Sequence, residues 1–121
     1  MWLPILGLLA GIILGLLFSV EIPLGAVKYT AIAILAALDT VLGGFRARLE
    51  DRFDLGVFVS GFLINTCFAA LITAIGDLLG VDIYLGAVIV FSIRIFGNVG
   101  FIRRDLLEVY WRGGRQRVPD R

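Results

Sequence analysis

Histidine is missing from this 121-residue chain, and cysteine occurs once, at Cys67. Without imidazole the chain lacks the commonest acid–base group at neutral pH and the commonest metal ligand. One thiol can form no internal disulfide and no thiolate cage, so neither a metal nor a cofactor is expected. Cys67 lies in an apolar run and reads as a small buried thiol. Charge is scarce as well. Charged residues are 17% of the chain and the formal net charge is +1, whereas 60% of residues are hydrophobic. Soluble domains hold about 45–50% apolar residues, and a chain this short cannot hide the excess in one core. The bilayer is the solvent that fits.

Four apolar runs, at about 2–20, 25–42, 55–75 and 83–102, approach the roughly 20 residues that a helix needs to cross the hydrocarbon. They predict an all-α polytopic membrane protein with four transmembrane helices, residues 1–111 forming one membrane domain. Only short connectors separate them: EIP (21–23), GGFRARLEDRFD (43–54) and GDLLGVD (76–82). The first run has neither a basic leader nor a small-x-small cleavage site, so it reads as a retained helix. Arg46, Arg48, Arg52, Arg103, Arg104, Arg112, Arg115, Arg117 and Arg121 all fall on one side of such a bundle, with Lys28 alone opposite. Positive charge stays inside, which makes the central loop and both termini cytoplasmic.

In FRARLEDRF, Phe45, Leu49 and Phe53 recur every four residues, while Arg46, Arg48, Glu50 and Arg52 fall largely elsewhere. This predicts a short amphipathic helix in the cytoplasmic interface, facing anionic headgroups or a cytoplasmic partner. Gly113 and Gly114 are expected to end the last helix, leaving 112–121 as a flexible basic tail. With Arg103 and Arg104, that tail suits anionic lipid at about 1 kcal/mol per basic residue. No aromatic–basic module accompanies it, so nucleic acid is not an expected partner.

Gly7, Gly11 and Gly15 repeat at strict intervals of four, two overlapping G-x-x-x-G units that form one flat stripe on a helix. Such a stripe lets another backbone come close. The neighbour belongs to the same chain or to a second copy, and a contact between copies is favoured.

Polar residues inside the runs are few. Counting about 1.5 Å per residue, Arg94 lies about 12 Å from the cytoplasmic end of its helix and Asn98 about 6 Å. Asp39 lies about 5 Å from that side, Ser60 about 7 Å and Asn65 about 15 Å. These five are expected to form one cluster, built on an Asp39–Arg94 ion pair with Asn98 as a bracket. Inserting an isolated Asp or Arg at mid-membrane costs about 2.5–3.5 kcal/mol, which disfavours leaving either one facing lipid. Either the pair fixes which helices are neighbours, or one member holds a proton, an ion or an anionic substrate. A third arrangement sends Arg94 to the interface alone.

MWLPILGLLAGIILGLL, AILAALDTVLGGFRARLEDRFD and RIFGNVGFIRR together resemble the small basic protein family of bacterial integral membrane proteins. Asp39, Gly43, Gly44, Arg46 and Glu50 fall on its central pattern, and Arg94, Asn98, Arg103 and Arg104 on its last helix. The resemblance implies the bacterial cytoplasmic membrane and no particular chemistry. It also implies an envelope or division role beside single-span extracytoplasmic or cell-division membrane proteins. The reading that follows is a non-enzymatic assembly or scaffold protein, a homo-oligomer. The alternative is a small ion or solute channel or transporter using Asp39 and Arg94. Intramembrane catalysis is disfavoured, since Asp39 has no second carboxylate at its level and Ser60 has no base.

Overall fold

The structure is a computed structural model that describes residues 2–18 and 21–115. Four α-helices occur among the described residues: α1 (Trp2–Leu17), α2 (Val27–Leu49), α3 (Leu55–Leu79) and α4 (Tyr84–Arg115). A 3-10 turn, Leu24–Ala26, leads from Pro23 into α2, and no strand occurs among the described residues. Three segments, Leu24–Leu49, Leu55–Leu79 and Tyr84–Arg112, are long and apolar enough to cross a membrane. The 16 residues of α1 span only about 24 Å, short of a hydrocarbon core of about 30 Å.

Local chemistry sets the ends. α2 stops where Asp51 turns left-handed (φ 53°), a conformation Asp tolerates better than most residues. The amides of Asp51 and Arg52 then donate back to the carbonyls of Arg48 (3.1 Å) and Ala47 (2.8 Å), closing the last turn. Asp54 caps α3 by accepting from the amide of Val57 at 2.8 Å. Gly80 ends α3 in the same left-handed manner (φ 68°), where a side chain would be strained.

Two expectations are corrected here. No separate interfacial helix follows α2; the helix continues through Gly43 and Gly44, and Phe45, Arg46, Arg48 and Leu49 are its final turns. A helical glycine costs about 1 kcal/mol, which is not enough to stop a helix whose next residues favour helix. For the same reason α4 passes Gly113 and Gly114 and reaches Arg115. Residues 116–121, most of the expected flexible tail, lie outside the described residues.

α2 is the central helix. It packs most extensively along α4 and next along α3, whereas α1 forms no comparable interface with any of them. Ile32, Ala36, Ala69 and Phe91 form the buried core, with Leu35, Phe62, Tyr84 and Ala87 against it. Outside this core the large apolar side chains point away from the chain, among them Leu16, Ile64, Phe68, Ile93 and Phe96. Cys67 is exposed with them rather than buried. The hydroxyls of Thr30, Thr40, Ser60, Thr66 and Thr73 each donate to the carbonyl four residues earlier, so the helices satisfy them internally.

Candidate functional site

The polar residues between the helices sort into three levels. In the middle, Arg94 of α4 places Nη2 3.0 Å from Oδ2 of Asp39 on α2. Among the described residues Asp39 is the one fully buried charged side chain, with 0% side-chain exposure against 51% for Arg94. The contact lacks hydrogen-bond geometry, and neither carboxylate oxygen has a hydrogen-bond partner among the described residues. What remains is Coulomb attraction across a short gap, a pairing that leaves Oδ1 unserved.

Beside the pair lies a cavity of about 260 Å³ lined by Asp39, Thr40, Gly43, Gly61, Asn65 and Arg94. Its floor depends on Gly44, where a Cβ would sit 2.7 Å from the Phe58 ring. Asn65 and Arg94 also line a second, apolar cavity of about 390 Å³ between α3 and α4.

Toward the end of α2, Arg46 holds a second cluster. Its Nε donates to Glu50 at 3.0 Å, and Nη1 makes a long contact of 3.5 Å with Oδ1 of Asn98. The guanidinium lies 4.3 Å from the centre of the Phe101 ring, with that of Arg104 over the same ring at 5.7 Å. Arg52 forms a further ion pair with Glu50. Arg48 and Arg103 are exposed.

At the opposite end, Lys28 Nζ lies 2.6 Å from Asp77 and 3.5 Å from Asp82, and Tyr29 donates to Asp77 at 3.0 Å. Lys28 also sits 5.4 Å from the centre of the Tyr84 ring. This clasp ties the start of α2 to the end of α3 and the start of α4. From the sequence these residues register only as outside charges. Their signal was one lysine facing two aspartates across connectors only a few residues long.

The five residues expected to cluster are therefore divided. Asp39 and Arg94 meet, and Asn65 lines the cavities beside them. Asn98 is not a bracket for Asp39 or Arg94, because the helical extension of α2 brings Arg46 to it instead. Ser60 is exposed and donates to Gly56 at 2.7 Å, so it takes no part. On α1, a Cβ built at Gly7, Gly11 or Gly15 meets nothing within 4 Å. Gly7 and Gly11 instead face a cavity of about 820 Å³ toward Ala37, Val41, Phe58 and Phe62. No group of three or more candidate metal ligands occurs among the described residues.

Residues 22–107 match a family described as "Protein of unknown function (DUF1290)". A protein of Bacillus subtilis (strain 168) named "Small basic protein" is 48% identical over 107 residues, 88% of each chain. The chain belongs to the small basic protein family. Uncharacterised relatives in Mycobacterium tuberculosis (strain ATCC 25618 / H37Rv) and Mycobacterium bovis are 48% identical over 104 residues, 84% of this chain and 86% of theirs. No solved structure matches the chain. The matched residues hold all three charged levels, from Lys28 to Arg104.

Proposed function

We propose that the chain is a four-span protein of the bacterial cytoplasmic membrane, its short α1 crossing where the bilayer thins to meet it, with both termini and the 50–54 turn cytoplasmic. It works as a non-enzymatic assembly subunit, associates with further copies through α1, and serves the cell envelope or cell division. The observation that carries this reading is the bare glycine stripe of α1. Each interior glycine costs a helix about 1 kcal/mol relative to alanine, and here the three have no close neighbour within the chain. In lipid, apolar attraction does not hold helices together; close backbone packing does. A helix of a second copy, entering the gap between Gly7 and Gly11 and the Ala37, Val41, Phe58 and Phe62 side chains, supplies the backbone that this face lacks. Arg48 and Arg103, exposed near the cytoplasmic ends, suit anionic headgroups. Single-span extracytoplasmic or division proteins are the membrane partners proposed.

The test is the mass of the full-length chain in mild detergent, alone and as Gly11→Leu. Several copies per particle, reduced to one by the leucine, are expected; a monomeric wild type overturns the reading. A second reading, passage of an ion or small solute past Asp39 and Arg94, is favoured by the two cavities that share Arg94 and Asn65. Solute flux into liposomes that Asp39→Asn abolishes would establish it.

A further inference from the structure

The two cavities that share Asn65 and Arg94 differ in character. One mixes polar Thr40, Asn65 and Arg94 with apolar Val57 and Phe58 and is lined by a buried carboxylate whose Oδ1 and Oδ2 accept no hydrogen bond among the described residues. The other is an apolar groove lined by Phe68, Ile72, Ile83, Ala87, Val90 and Phe91. From Arg94 to Gly86 the groove follows α4 for about 12 Å. One end thus offers the donors of a half-exposed Arg94 beside an enclosed carboxylate that accepts no hydrogen bond among the described residues. The other end offers hydrocarbon-like walls.

We infer that the two cavities form one site for a single-chain amphiphile with an uncharged head, of the protonated fatty-acid or monoacylglycerol type. Asp39 and Arg94 already cancel in charge, and a further full charge held away from water would be left without a counter-ion. The head therefore enters neutral. Its oxygen accepts from the half-exposed Arg94 guanidinium and from the Asn65 amide, and its O–H reaches the enclosed Asp39 carboxylate only once that side chain turns into the cavity it lines. Gly43 and Gly61 leave the head room in the polar cavity, and the chain lies along Phe68, Ile72 and Val90. A phospholipid fits poorly, having two chains for one groove and a phosphate that brings net charge. The inference rests on the proposed bilayer setting and not on the assembly.

The test uses the full-length chain in phosphatidylcholine vesicles with palmitic acid carrying a diazirine in its chain. After photolysis, adducts are mapped by peptide mass. They are expected around Phe68–Ile72 and Ala87–Phe91, and unlabelled palmitic acid or monoolein should compete them away. Val90→Trp, which fills the groove from a position 55% exposed, should cut labelling about tenfold, equivalent to about 1.4 kcal/mol of affinity. Ile93→Trp, 66% exposed on the same helix and outside both cavities, should leave labelling unchanged. Adducts spread evenly over all four helices, labelling equal in the two variants, or competition by dioleoylphosphatidylglycerol but not palmitic acid would overturn the inference. Carbonate extraction and native mass on the same samples report membrane residence and assembly separately. A failure of labelling alone therefore counts only against the amphiphile site.

Discussion

Arg94 and Asp39 stand 3.0 Å apart in unlike surroundings: the carboxylate is wholly enclosed and the guanidinium is half open. The two halves of the pair are therefore not equivalent, and their removal should not cost the same.

Arg94→Gln leaves an enclosed carboxylate without its counter-charge, which should cost about 3 kcal/mol. Asp39→Asn leaves a guanidinium that can swing to other acceptors, so its cost should be about half as large. Thermal unfolding in detergent checks the order. Combining the two should recover part of the Arg94→Gln loss, a coupling that a double-mutant cycle measures directly. An exchange of charges, Asp39→Arg with Arg94→Asp, should fail because it moves the guanidinium to the enclosed position and the carboxylate to the half-open one.

Gly44→Ala should destabilise the chain by about 1–3 kcal/mol, although alanine favours helix by about 1 kcal/mol. The added methyl would lie 2.7 Å from the Phe58 ring. Gly44→Ala with Phe58→Leu should restore most of the loss in the same melting experiment.

Lys28→Met should lower the melting temperature only slightly, because its partners Asp77 and Asp82 are exposed and surface pairs are weak. The difference between wild type and variant should shrink further in high salt, where exposed charges are screened.

Arg46 and Arg48 are two residues apart and should behave differently. Arg46 is engaged with Glu50, Asn98 and Phe101, so Arg46→Ala should lower the melting temperature. Arg48 is exposed and unengaged in those contacts, so Arg48→Ala should spare stability. It should instead weaken flotation with phosphatidylglycerol vesicles by about 1 kcal/mol.

The central pair was legible because charges are rare in the apolar runs, and two at matching depth on separate helices have few alternatives. Asn98 misled for the opposite reason: Arg46 lay beyond the glycine pair, where the sequence reading ended α2. Once the helix continues, Arg46 returns to the bundle and takes the amide that depth alone assigned to Arg94. Ser60 was misplaced because a hydroxyl can be satisfied by its own helix, a choice that no spacing reveals. Cys67 is apolar enough for a core and for lipid alike, and only packing separates the two. The glycine stripe of α1 was visible at once, whereas its lack of a neighbour within the chain required the fold.

The central claim is that α1 meets a second copy through Gly7, Gly11 and Gly15, and native mass measurement of the full-length chain in mild detergent tests it most directly. Particles of more than one copy that fall to single copies in Gly11→Leu, with helical content unchanged, are the predicted result. Single copies of the unaltered chain, or an assembly indifferent to Gly11→Leu, would contradict it.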